Sequence, residues 1–189
     1  RDFADVISGG FDLPAGALDN AGSSTVDGFT FVTPVATNGI TAATFTGIPS
    51  GVDVIKYTIY RANPSSVAGL LIRIGDSGGL EDSNYSRGES YSGASSGTVT
   101  SQEDTSASSW ALAAFNATTN FITHHGEILR VHGNKFVLTA HCHYHNSPKY
   151  TLYYTGFKEL SAELTQISFF WGGSITFNDA NGYARIAYQ

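Results

Sequence analysis

Two short fragments of this 189-residue chain carry side chains that could do covalent chemistry. Gly75-Asp76-Ser77-Gly78-Gly79 sets a hydroxyl among glycines, and Leu138-Thr139-Ala140-His141-Cys142 supplies an imidazole. A serine hydroxyl becomes a nucleophile when a histidine takes its proton, a carboxylate orients that histidine, and nearby backbone amides receive the oxyanion. A third group, His141, His143 and His145, puts three imidazoles at period two, hence on one face of a strand. Such neighbours stand about 7 Å apart on a flat strand, too far for one chain to close all three on one ion. Around a threefold axis each level would offer three or six nitrogens, so an axial metal ion shared by an oligomer is the chemistry this strip could support. Without that symmetry the strip is a polar face turned to solvent or to a partner, and no cofactor is expected.

The serine and histidine fragments resemble the nucleophile and histidine signatures of the chymotrypsin-like serine proteases. The chain order opposes that reading, because here the serine precedes the histidine, and only a circular permutation would reconcile the two. The histidine fragment also lacks the second alanine, and Cys142 is the only cysteine, with no disulfide partner in the chain. A plainer account covers both fragments. The glycine-rich one leaves a strand ending at Ile74 as a turn in which Asp and Ser cap their own backbone. Thr139 to Cys142 sits inside a strand that carries Phe136, Leu138, Ala140 and Cys142 on one face. The expectation is therefore a protein that is not an enzyme, with a permuted hydrolase as the third-ranked alternative.

The elements that must position these residues are strands. Glycine (21 residues), Phe (12) and Tyr (10) are abundant, while charged residues make up 14%, which denies surface helices their Glu and Lys pairs. Residues 1–28, punctuated by Gly and Pro, read as an extended N-terminal arm. Residues 29–189 read as one domain with strands at 29–32, 42–46, 52–61, 69–74, 127–132, 135–145, 150–154, 165–171 and 183–188. That spacing predicts an all-β fold, an antiparallel β-sandwich of jelly-roll type. Gly133-Asn134 between two alternating runs predicts a type II′ hairpin. Short helical pieces are expected at 158–163 and 108–115, and a long polar loop at 81–109. His124 and His125 are adjacent and so point to opposite faces. Of Phe169, Phe170 and Trp171, at least one must point away from the core its neighbours fill.

The formal charge of −6, with Lys and Arg never in a run, removes the electrostatic footprint of a nucleic-acid binder. No apolar run approaches about eighteen residues, so membrane insertion through a helix is not expected. The chain begins at Arg1 and has no methionine, which predicts a processed product or a fragment of a longer translation product.

Three stretches together resemble a domain of tailed-bacteriophage virion proteins, of the tail-fibre or receptor-binding-tip type. The first is Phe45-Thr46-Gly47-Ile48-Pro49-Ser50-Gly51-Val52 with Leu71-Ile72-Arg73-Ile74-Gly75-Asp76-Ser77-Gly78-Gly79-Leu80. The second is Val131-His132-Gly133-Asn134-Lys135-Phe136-Val137. The third is Gly156-Phe157-Lys158-Glu159-Leu160-Ser161 with Leu164-Thr165-Gln166-Ile167 and the closing strand 183–188. The resemblance implies a sandwich on the surface of a virion, at a fibre tip or as a capsid decoration. It also implies a homo-oligomer, a trimer by preference, with other virion proteins and a host-surface glycan as partners. The alternative from another class is a stand-alone carbohydrate-binding, lectin-like domain, with exposed Tyr85, Tyr91 and Trp110 as stacking faces.

Overall fold

A computed structural model describes residues 24–26, 28–93, 100–114, 121–145 and 150–189. Among these residues the chain forms fifteen strands and no helix. They are β1 (Ser24–Val26), β2 (Phe29–Phe31), β3 (Val35–Ala36), β4 (Ala42–Thr46), β5 (Val54–Ala62), β6 (Gly69–Asp76), β7 (Gly79–Leu80) and β8 (Tyr85–Gly93). The rest are β9 (Thr100–Ala107), β10 (Trp110–Ala114), β11 (Ile122–His132), β12 (Lys135–Tyr144), β13 (Tyr150–Glu159), β14 (Gln166–Trp171) and β15 (Tyr183–Tyr188).

All the strand pairs are antiparallel, and they make two sheets. The larger runs β1-β2-β15-β5-β11-β12-β13-β8-β9, with β3 also on β15; the smaller runs β10-β6-β14-β4, with β7 on β6. The protein is thus an antiparallel β-sandwich. Period-two alternation fills the space between the sheets. Ile55, Tyr57 and Ile59 of β5, Phe136, Leu138, Ala140 and Cys142 of β12, and Ala184 and Ile186 of β15 come from the large sheet. Leu70, Ile72 and Ile74 of β6, Ile167, Phe169 and Trp171 of β14, and Trp110 and Leu112 of β10 meet them from the small one. Phe170 is the residue of its aromatic trio that turns outward, where the Arg73 guanidinium lies 5.0 Å from its ring.

All nine expected strands are present, and three further ones correct the reading of 81–115. The stretch taken as a polar loop holds β8 and β9, and β8 pairs with β13 over eight positions from Tyr150↔Gly93 to Phe157↔Ser86. Few aliphatic side chains mark it because its outward positions are Ser86, Gly88 and Ser90; pairing to a strong neighbour, not propensity, makes it a strand. The expected helix at 108–115 is instead β10. Trp110 and Leu112, both fully buried, alternate into the core, and that burial overrides the helix preference of the alanines between and after them. Residues 158–163 are not helical either. Lys158 and Glu159 end β13, with Lys158 turned inward. Of the expected extended arm, residues 1–23 and 27 lie outside the described residues, while β1 folds back on β2 through Ser24↔Phe31 and Val26↔Phe29.

Candidate binding face

The side of the large sheet that turns away from the core carries the histidine strip that sequence reasoning singled out. Its residues line up in rows across the strands. One row runs Arg185, Thr58, His125, His141, Tyr153 and Ser90 over β15, β5, β11, β12, β13 and β8. The next, two residues along, runs Ala187, Lys56, Glu127, Thr139, Thr155 and Gly88. A third runs Val54, Leu129, Val137, Phe157 and Ser86. Apolar side chains stay open to solvent here: Tyr153 is 48% exposed, Leu129 40%, Phe157 39% and Phe31 37%.

Three shallow grooves cross this face. The first, of about 670 Å³, lies between β8 and β13 and is lined by Ser86 to Ser90 together with Val137, Tyr153, Thr155 and Phe157. The second, of about 370 Å³, lies between Lys56, Thr58, His125, Glu127, Thr139 and His141. The third, of about 490 Å³, has Phe29, Phe31, Lys56 and Arg185 along it. Their charges are mixed, as in the Lys56 and Glu127 pair at 4.0 Å.

The histidine strip gains a fourth member. His141 and His143 are exposed, and His145, just after the end of β12, is half-buried on the same side, its ring 5.3 Å from that of His143, its Nε2 2.7 Å from the Thr123 hydroxyl and its face stacked on Phe121 at 4.8 Å. His125, not counted in the strip, joins it, directly opposite His141 with ring centroids 5.3 Å apart. Among the described residues, no group of three or more His, Cys, Asp or Glu is placed to hold a metal ion.

His124 points the other way, as adjacency requires, and is fully buried. Its ring stacks on Tyr57 (5.6 Å, 7° between planes) and tilts against Tyr154 (5.6 Å), beside the buried thiol of its cross-strand neighbour Cys142. Burial lowers its pKa to about 3, with the neighbouring His125 and His141 adding to the effect, so it sits in the core as the neutral imidazole. Gly126 makes the space for this stack. A methyl group there would lie 2.7 Å from both the Ala140 side chain and the Tyr57 hydroxyl.

Tyr85 and Trp110 correct the expectation of exposed stacking faces, since both are fully buried. The Tyr85 hydroxyl accepts the Ile74 amide at 3.0 Å and lies 3.0 and 3.1 Å from the Ile74 and Glu81 carbonyls. Trp110 meets Tyr85 edge to face at 5.2 Å and donates its Nε1 hydrogen to the Ser86 carbonyl at 3.1 Å. It also packs under Gly156, where a methyl group would stand 2.4 Å from Nε1. These two aromatics therefore prop the β8 and β13 groove from beneath. Tyr91 is on β8 opposite Leu152 in the register, and its side chain lies outside the described residues.

The glycine-rich serine fragment is a turn, as the plainer account expects. Asp76 ends β6, and its Oδ1 accepts the Gly78 amide at 2.7 Å while Oδ2 accepts the Ser161 hydroxyl at 2.6 Å. Those two bonds, the Ser161 one first, hold the carboxyl below its usual range. Ser77 lies in the turn between β6 and β7 of the small sheet and is exposed, whereas His141 stands on the outward face of the large sheet. Nearby, the buried Lys158 ammonium pairs with Glu81 and lies 5.2 Å from the Tyr85 ring, and Glu81 also accepts the Ser161 amide at 2.7 Å.

Compared with protein-family models, curated proteins and solved structures, the chain finds no match.

Proposed function

We propose that this domain is a non-catalytic attachment module of a tailed-phage particle, and that it works through the outward face of the large sheet. The observation that carries the reading is the set of apolar side chains left open on that face while the core between the sheets is already filled. Leu129, Val137 and Phe157 are neighbours in one cross-strand row, with Tyr153 two rows further along β13 on the same face. A row of this kind is worth more as a contact surface than the single exposed apolar residues any soluble domain carries. The permuted-protease alternative has less support, because its serine and histidine belong to different sheets.

The phage assignment rests on the sequence resemblance, which also favours a virion-surface location and a homo-oligomer, preferably a trimer, beside other virion proteins. The acid balance of the chain and its mixed surface charges speak against nucleic acid as the partner. A stand-alone lectin-like domain would use the same face through Tyr153 and Phe157, in place of the buried Tyr85 and Trp110. Gold-labelled antibodies against the domain, applied to particles from cells that encode it, separate these readings. Gold at tail tips is the expected result. Gold over the capsid would replace attachment by decoration, and particles without gold, from cells that make the chain, would overturn the assignment.

A further inference from the structure

We propose that the groove between β8 and β13 binds a short, uncharged glycan, with Tyr153 and Phe157 as its stacking platforms; the inference rests on the attachment reading and names its ligand class. Tyr153, Thr155 and Phe157 alternate outward along β13, so the two rings stand about 13 Å apart with a hydroxyl between them. Ser90, Gly88 and Ser86 face them, residue for residue, from β8. The groove of about 670 Å³ is thus walled by two half-exposed rings, edged by three hydroxyls and open at its centre, where Gly88 has no side chain.

The rings are held in place before any ligand arrives. Tyr153 packs edge-on against His141 at 4.8 Å, and His141 is itself supported by His125 at 5.3 Å. Phe157 stands beside Val137 and Leu129 in its row. Ordering a platform in advance removes part of the entropy that binding would otherwise cost. The outward histidines acquire a role here, as buttresses of a platform.

The lining selects among ligand classes. A peptide adding itself as a strand needs a free sheet edge, and both sides of β8 and of β13 are already paired. An anion needs a surplus of positive charge, whereas the outward positions of β8 and β13 along the groove carry no charged side chain. A wholly apolar ligand would cover the Ser86 and Ser90 hydroxyls without offering them partners, while the Thr155 hydroxyl reaches the Gly88 carbonyl at 3.5 Å. Sugar rings offer an apolar face of C–H groups to an aromatic ring and hydroxyls around their rim, which matches rings at both ends and hydroxyls between.

The test is an array of immobilised neutral and acidic oligosaccharides probed with the wild-type chain, Tyr153→Ala, Phe157→Ala, Tyr153→Phe and, as a control on a distant loop, Val67→Ser. Unchanged circular dichroism and melting would establish that each variant is folded. Binding to neutral members, weakened about tenfold or more by either alanine substitution and retained by Tyr153→Phe and Val67→Ser, is the expected result. Absence of binding to every neutral member, or binding that Tyr153→Ala and Phe157→Ala leave unchanged, would overturn the inference. Gold on particle tips with a blank array would remove the glycan and keep the attachment reading; a blank in both would remove both.

Discussion

Asp76, Glu81 and Lys158 illustrate how side chains with chemical potential are used up by structure. The Asp76 carboxylate, one residue from the candidate nucleophile, is occupied by the Gly78 amide and the Ser161 hydroxyl and so is committed to the turn. Lys158 is 2% exposed, and its charge is tolerable there because Glu81 meets it. Removing only one partner of such a pair leaves a buried charge uncompensated, so Glu81→Gln should destabilise the fold by about 3–5 kcal/mol. The double variant Glu81→Gln with Lys158→Met should recover a large part of that loss, read from urea unfolding midpoints. His124 gives a second prediction at this scale. Its folded pKa, pushed down to about 3 by burial, lies below the ordinary value near 6.5, so the unfolded chain binds the proton that the folded one refuses. Stability therefore rises with pH across that window and is lost as pH falls through it. Between pH 7 and pH 5 the wild type should lose about 2 kcal/mol more than His124→Phe. Equal losses in the two proteins would show that His124 is not buried as the neutral form.

Elements carry the difference between what the sequence shows and what it hides. Strands with aliphatic alternation, such as β4, β5 and β15, are legible from their period, because their inward positions are apolar and most of the polar residues fall on the outward ones. β8 is not, since its pattern is written in Ser and Gly, and only the presence of β13 beside it makes it a strand. The hairpin after β11 shows the same limit at finer grain. Gly133 takes a positive φ of 53° and Asn134 does not, which fits the expected Gly-first turn. A bulge between Arg130 and His132 nonetheless moves the register by one residue. A hairpin counted strictly from the turn would set Gly126 opposite His141; the bulge puts His125 there instead, and so adds a histidine to the outward face. No local residue pattern announces that shift. Packing beneath the same sheet yields a prediction. Glycine within a strand is ordinarily improved by alanine, but at Gly156 the added methyl would stand 2.4 Å from the Trp110 indole nitrogen. Gly156→Ala should therefore cost about 1–3 kcal/mol, seen as a lower melting temperature in calorimetry; a neutral or higher value would show that Trp110 does not pack there.

The whole molecule is a sandwich whose large sheet leaves apolar side chains open on its outward face. Its candidate site was partly legible: the right neighbourhood is marked by aromatic density, but Tyr85 and Trp110 lie one layer below the surface on which Tyr153 and Phe157 stand. Composition cannot tell which side of a strand an aromatic takes, because that depends on register and on what the second sheet covers. Assembly belongs to this scale as well. Light scattering should give a mass of three 20.1 kDa chains in solution, and a monomer persisting above micromolar concentration would remove the proposed homo-oligomer. The central claim, attachment through the outward face of the large sheet, is tested most directly by adsorption competition. Cells are incubated with the isolated domain before the particle that encodes it is added, and the adsorbed fraction is counted. The wild-type domain should slow adsorption, and Phe170→Ser, on the small sheet, should slow it equally. A folded Leu129→Ser, Tyr153→Ala, Phe157→Ala variant should not slow it. Inhibition by that triple variant as strong as by the wild type, or no inhibition by either, would contradict the account.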